Sequence, residues 1–295
     1  MIRSLRNTSF ASNQTSDYTM SRMEEIQLRE VVDRLQKNDP DLKELDFRSI
    51  NGIRSQSPEG RDELFQELIV ALSGNTMVRK VNIVLRFLDS LYLAQKQQLF
   101  ETIGSLPYLE HLRVGSSGLS GIALQLISRA LSHNTNLKSL ELQSIHFRAS
   151  VNHTTENPMN THDDEFVEFC QVLGSVQPLQ SFVLEDVEET FDLDALVVVL
   201  TELKSLEKVS MKSYKFPDAP RLTVESLQKL SSSTSIKFLA LKRMHLLDVL
   251  PAFILSLEEN SALQHLNLEG NQMGRECGAA ISYLLQCENK LEELY

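Results

Sequence analysis

The sequence predicts an α/β solenoid, in which short strands alternate with helices along the chain. A phrase with apolar residues at positions one, four and six recurs along nearly the whole sequence, and its clearest copy runs from Leu263 to Asn271. The copies begin at Leu42, Val78, Leu109, Leu137, Leu179, Leu206, Ile236, Leu263 and Leu291. A period of about 28 residues is typical of stacked supersecondary units rather than of a globule with one central core.

Each phrase contains a strand, and a helix follows. Apolar positions four and six, such as Leu140 and Leu142, alternate with polar residues, as in a strand with one buried face. Phe65, Leu68 and Leu72 then fall on one helical stripe. Similar stripes cover residues 123–131, 166–173, 196–203, 227–230, 253–257 and 280–285, and polar pairs at Asn75, Asn134, Ser233 and Asn260 end the helices. Neighbouring strands lie about 4.8 Å apart, whereas a helix is about 10 Å wide. The helix side of the stack therefore spreads wider, and the stack curves with the strands on its concave face.

This pattern resembles the leucine-rich repeat family, and a helix in every unit resembles the ribonuclease inhibitor-like subclass. The resemblance covers residues 42–295 and implies a curved horseshoe segment, with a parallel β-sheet on the concave face and helices on the convex face. The family usually has Asn or Cys at position nine, and here only Asn271 conforms. We therefore expect apolar side chains such as Met244 to replace most of the family's polar ladder.

The domain prediction is one repeat domain with a preceding tail. We assign residues 1–22 to a disordered tail and 23–295 to the leucine-rich repeat domain, with a helical N-cap at 23–38 and about eight repeats. Residues 1–16 contain Arg, Ser and Thr but no acid, so a transit peptide is the alternative. A ninth phrase stops at 291–295, which predicts either a fragment or a strand edge that pairs with another chain.

A narrower resemblance concerns the first two repeats. Asn38–Leu45, followed by Ala71–Thr76, is similar to the start of the tropomodulin repeat domain, which implies an actin-filament regulator. The alternative interpretation is that Asn, Asp and Pro here only end a capping helix and begin the first strand.

Composition restricts the classes of function. A net charge of −11 argues against a nucleic-acid partner, and no apolar run is long enough to cross a membrane. Three cysteines without a CxxC spacing favour a reducing compartment, so we expect a cytoplasmic protein. The glycine-containing loop at 115–121 fits a structural turn. The histidines around the long insertion at 150–163 fit a solvated loop. No catalytic motif is present, and we expect neither an enzyme nor a cofactor.

The outward positions of the concave face provide the candidate binding site. Four cations, Lys208, Lys212, Lys242 and Arg243, form a basic strip beside His265, with Glu185, Asp186 and Glu269 on its flanks. An exposed Phe238, with Tyr214 as a second candidate, would anchor a partner. The alternative interpretation is a ladder of cross-strand ion pairs, Glu185 with Lys212 and Lys242 with Glu269.

An acidic rim adds a second candidate surface. Its members share the strand-to-helix edge of the fifth repeat and are Glu185, Asp186, Glu188 and Glu189. Such a rim would steer a basic protein partner, although a solvated loop explains it equally well. The sequence therefore predicts a non-catalytic scaffold that binds an unidentified protein through the concave face and the rim. The alternatives are a tropomodulin-like actin regulator and a GTPase-activating protein, like those built on this repeat in the Ran system.

Overall fold

The computed structural model describes residues 26–47, 58–88, 91–115, 122–144, 161–186, 192–213, 222–287 and 290–295. Nine strands form one sheet in which the spatial order equals the chain order, and every neighbouring pair is parallel. The strands are β1 (Glu44–Asp46), β2 (Lys80–Val84), β3 (His111–Gly115), β4 (Ser139–Gln143), β5 (Ser181–Glu185), β6 (Lys208–Lys212), β7 (Phe238–Lys242), β8 (His265–Asn267) and β9 (Glu293–Leu294). This is the predicted α/β solenoid.

Helices connect successive strands and pack beside one another. They are α1 (26–36), α2 (Pro58–Ser73), α3 (Leu85–Leu88), α4 (Leu93–Gly104), α5 (Ala123–His133), α6 (Thr161–Ser175), α7 (Leu193–Glu202), α8 (Val224–Ser231), α9 (Leu250–Ser256) and α10 (Arg275–Leu284). The sequence predicted no helical stripe for α4, although Leu99, Phe100 and Ile103 are buried there. The polar residues 95–98 precede these buried positions and are partly buried, while Leu93 at the start of the helix is exposed.

The core is a continuous layer between the sheet and the helices. Apolar positions one, four and six of each phrase point into it, as Leu137, Leu140 and Leu142 show with at most 1% exposure. The stripe residues of the helices, such as Leu126 and Ile127, meet them from the other side. Because the core runs the length of the stack, each repeat is stabilised mainly by its neighbours.

A backbone ladder joins the repeats where the strands begin. The carbonyl oxygen at position two of each phrase accepts hydrogen bonds from the N–H groups at positions two and three of the next phrase. At one junction the Lys138 oxygen accepts from Gln180 at 2.8 Å and Ser181 at 2.9 Å. The acceptors along the stack are Lys43, Arg79, Glu110, Lys138, Gln180, Glu207, Lys237 and Gln264. Eight successive junctions thus share one geometry, which fixes the register of the sheet.

The turn before each strand is stabilised in two ways. In some repeats Asn or Ser lies three residues before the phrase, and its side chain caps the turn. For example, Oδ1 of Asn260 accepts hydrogen bonds from the N–H groups of Ala262 and Leu263. Where that position is apolar, as at Leu106, the backbone carbonyl of the same residue accepts instead. The polar pairs that we interpreted as helix ends therefore also begin the next strand.

Helix α1 covers the first repeat. Its Leu28, Val32 and Leu35 are buried against the core, and the Leu35 carbonyl accepts from Nδ2 of Asn75 at 3.0 Å. The residues after α1 form a turn in which Asn38 has a positive φ of 48°. The preceding segment 1–25, which includes the expected tail and the start of the N-cap, lies outside the described residues.

The tropomodulin-like residues of this turn have local structural roles. Oδ1 of Asn38 accepts from the Thr76 N–H at 2.8 Å. Asp39 pairs with Arg34 at 2.6 Å and also accepts from the Asp41 N–H. These contacts account for Asn38 and Asp39 by turn chemistry.

Candidate functional site

The concave surface is built from positions three, five and seven of the phrases, because these side chains alternate with the buried ones. The parallel register places Ser181, Lys208, Phe238 and His265 side by side at position three. Positions five and seven form two further rows over the same strands. The predicted site residues of these strands therefore share one surface.

The position-three row forms a chain of contacts across β6 to β9. Nζ of Lys208 lies 5.1 Å from the centroid of the Phe238 ring, within cation–π range. That ring lies 6.0 Å from the His265 ring, tilted by 38°. Nδ1 of His265 lies 3.1 Å from Oε2 of Glu293. Phe238 is therefore partly buried between two neighbours, and it is less exposed than expected because adjacent strands place Lys208 and His265 beside the ring.

The position-five row is a floor of small side chains. Val183 and Ser210 are partly buried, and Ala240 is 1% exposed although it faces away from the hydrophobic core. Larger side chains at positions three and seven stand on either side. We call this feature the central groove: a floor of Val183, Ser210 and Ala240 between those two rows.

The position-seven row carries charges in a fixed order. It contains Glu185, Lys212 and Lys242 at the ends of β5, β6 and β7, and Glu269 in the turn after β8. Nζ of Lys242 lies 2.9 Å from Oε2 of Glu269, so this predicted ion pair is present. The hydrogen bond from Lys242, assisted by Arg243 and Lys212, holds the pKa of the Glu269 carboxyl below its usual value. Glu185 and Lys212 are register partners, which places the other predicted pair on adjacent strands.

Position eight has a left-handed backbone in several of the repeats. Positive φ angles occur at Ser144, Asp186, Arg243 and Gly270, which occupy this position in four repeats. A Cβ on Gly270 would lie 2.6 Å from Cγ of Arg243, so the Arg243 stem lies directly against this glycine. Arg243 thus stands at the end of the strip, beyond its strand, rather than within the strand face.

The polar position-nine ladder is present at Asn271. Its Nδ2 donates to the carbonyl oxygens of Leu241 and Leu268, and its Oδ1 accepts from the Met244 N–H at 2.8 Å. Met244, at the same position one repeat earlier, is fully buried, as expected for apolar replacement. The equivalent Ile50, Ser117, Ile145, Val187 and Tyr214 lie outside the described residues.

The acidic rim is described only in part. Glu185 and Asp186 are partly buried, and the Glu185 backbone carbonyl accepts from the Ser144 N–H at 3.0 Å. Glu188 and Glu189 lie outside the described residues, as do the second anchor Tyr214, the loop at 116–121 and most of the insertion.

The first half of the concave face contains a polar pocket that sequence analysis did not identify. The pocket has a volume of about 220 Å³ over β2 to β4 and is lined by Lys80, Asn82, Arg113 and Glu141, among others. Arg113 pairs with Glu141 at 3.0 Å, and Lys80 pairs with Glu44 at 3.1 Å. Oδ1 of Asn82 is buried without a protein hydrogen-bond partner. The charges here are largely paired within the protein.

Two kinds of site are absent from the described part of the chain. None of its helices is both long and apolar enough to cross a bilayer. No three His, Cys, Asp or Glu side chains converge there as metal ligands would. Cys170, Cys277 and Cys287 are free thiols.

Several solved structures resemble the fold of this chain. The C-terminal domain of a Caenorhabditis elegans tropomodulin aligns with a TM-score of 0.40 and 16% identity, over 59% of this chain and 92% of that domain. The actin-binding site 2 of leiomodin-1 aligns with a TM-score of 0.40 and 18% identity, over 59% of this chain and 85% of that one. LegL7, a leucine-rich repeat-containing protein from Legionella pneumophila, aligns with a TM-score of 0.45 and 14% identity, over 90% of this chain and 77% of that one.

Sequence comparison provides no closer relative. No sequence family matches the chain. No curated protein sequence matches it either. The assignment therefore depends on the architecture itself: nine parallel strands in chain order, helices along one side and a repeated backbone junction. The chain therefore has the fold of a leucine-rich repeat solenoid.

Proposed function

We propose that this chain is a non-catalytic scaffold of the cytoplasm, which binds a protein partner through the central groove on its concave face. The observation that carries the proposal is the row Lys208–Phe238–His265, which places a partly exposed aromatic ring beside a groove with a small-residue floor. Aromatic and cationic side chains around a recess are typical of the residues that dominate binding energy at protein interfaces. The acidic rim would contribute orientation and association rate.

The ribonuclease inhibitor-like subclass remains part of this proposal. It is supported by the helix that follows most strands and by the period of about 28 residues. A scaffold of this subclass needs no cofactor, since its strand face provides the contacts.

The experiment is site-specific photo-crosslinking. A benzophenone amino acid at position 238 keeps an aromatic ring in the groove, and the same amino acid at Val70, which is 68% exposed on α2, is the convex control. We expect a cellular protein to be crosslinked at position 238 and not at position 70. That protein, once purified, should bind Phe238→Ala at least about tenfold more weakly than the parent chain, as loss of a hot spot predicts.

Two results would contradict the proposal. One is a partner that crosslinks at position 70 and not in the groove. The other is a groove-crosslinked protein whose affinity is unchanged by Phe238→Ala and by Lys242→Ala, because the site would then lie elsewhere.

A second candidate, actin regulation, is supported by the similarity of residues 38–45 and 71–76 to the tropomodulin repeat domain. Co-sedimentation of the chain with actin filaments and retention by monomeric actin would test it. The contacts of Asn38 and Asp39 with Thr76, Arg34 and Asp41 explain those two residues without actin, so we rank this function second.

A further inference from the structure

We propose that the occupant of the central groove is an amphipathic α-helix of the partner, whose groove-facing flank carries charges in the order positive, negative, negative, positive. This inference depends on the proposed function, since it names the ligand of the same surface. Three features support it: the width of the groove, the order of its charges and the presence of a carboxylate already bound there.

The width of the groove matches a helix. Positions three and seven of one strand are four residues apart, which separates the two side-chain rows by about 13 Å. An α-helix with its side chains is about 10–12 Å wide. The floor residues Val183 and Ser210 are small and partly exposed, while Ala240 is already covered, so a helix that crosses the strands would rest on this layer.

The charge order specifies one flank of that helix. The position-seven row reads negative, positive, positive, negative from Glu185 through Lys212 and Lys242 to Glu269. The first three residues lie on β5, β6 and β7, and Glu269 lies in the turn after β8. Strands are about 4.8 Å apart, so the four charges cover about 14 Å. Helix residues at i, i+4, i+7 and i+11 lie on one stripe. The last three lie about 6, 10.5 and 16.5 Å from residue i along the helix axis, so their spacing is close to that of the four charges.

A carboxylate of the chain itself already demonstrates the chemistry of the strip. Glu269 reaches back from the turn after β8 to Lys242, and Arg243 and Lys212 also favour its ionised form. A partner carboxylate that enters the same field would compete with Glu269 for Lys242 and would lie close to Lys212 on the adjacent strand. The acids at both ends of the row would repel a third carboxylate, which limits the acidic stretch to two residues.

The opposite flank of the helix would meet the position-three row. There Lys208 and His265 enclose the Phe238 ring. An apolar partner residue against that ring would add buried area at the centre of the interface, where binding energy concentrates. Nucleic acid fits poorly, because its uniform row of phosphates would meet Glu185, Glu269 and Glu293 as well as the lysines.

The test uses purified chain and synthetic alanine-based helical peptides. The first peptide carries Lys, Glu, Glu and Lys at i, i+4, i+7 and i+11, with one Leu on the opposite flank. The second carries Glu, Lys, Lys and Glu at the same positions, so that its composition and net charge are identical. We expect the first to bind about tenfold more tightly at low salt, measured by fluorescence anisotropy, with the difference reduced at high salt.

Protein variants locate the effect. The double change Lys212→Glu/Lys242→Glu should abolish the preference between the peptides. Its charge-matched control, Lys96→Glu/Lys229→Glu, alters lysines on α4 and α8 and should retain the preference. A proline in the middle of the first peptide should weaken binding, because it breaks the helix.

Several outcomes would overturn the inference. These are equal affinity for both peptides, a preference that survives the groove variant, full binding by the proline peptide, or binding of oligothymidine that the groove variant removes. If crosslinking in the groove succeeds while the peptides fail, the proposed function stands and only the helical occupant is wrong. If the peptides succeed and no cellular protein crosslinks, the proposed function is the part that fails.

Discussion

Gly104, the last residue of α4, lies so close to Ala130 of α5 that a Cβ on Gly104 would be 2.3 Å from the Ala130 carbonyl oxygen. The backbones of two neighbouring repeats therefore meet without an intervening side chain. A single methyl group at this position would force the two helices apart.

The first prediction follows from this contact. Gly104→Ala should lower the free energy of unfolding by about 1–3 kcal/mol, as overpacking does, measured by urea denaturation. The control is Gly174→Ala in α6, where the new Cβ would meet Val199 at an ordinary 3.5 Å. Its effect should be small or favourable, since Ala is the better helix former. Equal destabilisation by both changes would show that the close approach is not the cause.

The second prediction concerns the junction between α1 and the first repeats. Asn75 is 1% exposed, donates to Leu35 and accepts from Met77 and Val78. Asn75→Ala should cost about 1–3 kcal/mol, because it leaves buried backbone groups without partners. Hydrogen exchange should accelerate most in α1, which loses its link to the turn.

The matched control for that experiment is Asn136→Ala. Asn136 donates to Pro107 at an exposed site, where water can replace the lost bond, so its cost should stay within about 0.5 kcal/mol. Unchanged exchange in α1 of the Asn75 variant would contradict the proposed junction.

The third prediction is a pH dependence at Glu269. Its pKa is lowered mainly by the hydrogen bond from Lys242, so Lys242→Gln should raise the pKa of that carboxyl toward its ordinary value. A carboxyl group whose pKa is lower in the folded protein than in the unfolded chain stabilises the fold at pH values above its unfolded pKa. This stabilisation is lost as the pH falls through the folded pKa. The parent should therefore exceed the variant in stability most at neutral pH and least in acid. Carboxyl-carbon NMR titration measures the shift, and Lys229→Gln on α8 should leave it unchanged.

The fourth prediction concerns thiol reactivity. Burial, with a smaller contribution from Asp192, raises the pKa of the Cys170 thiol to about 12. Because the thiolate is the reactive form, Cys170 should react with Ellman's reagent only when the protein opens, as should buried Cys277. Cys287 is less buried and should react first, so Cys287→Ser should remove the fast phase. A fast phase that persists in that variant would contradict this order.

The repeat phrase predicted the strands because its period is short and local. Position six is buried in each of the first eight phrases, as at Leu142, Leu184 and Leu241. Helix α4 was not predicted because its first apolar residue, Leu93, is exposed and its buried residues Leu99, Phe100 and Ile103 come only after a polar run. The left-handed residues at position eight were not predicted, since Ser144, Asp186 and Arg243 have no glycine to reveal the positive φ.

The sequence by itself determined the fold class, the repeat boundaries and which strand positions face outward, because the alternation of apolar residues is a property of each segment. It also predicted the ion pair of Lys242 with Glu269. Only the tertiary structure decided how far Phe238 is covered, that Arg243 lies against Gly270 and that Asn82 lacks a hydrogen-bond partner for Oδ1. Those facts depend on side chains from neighbouring repeats, which the register brings together across about 30 residues of intervening chain.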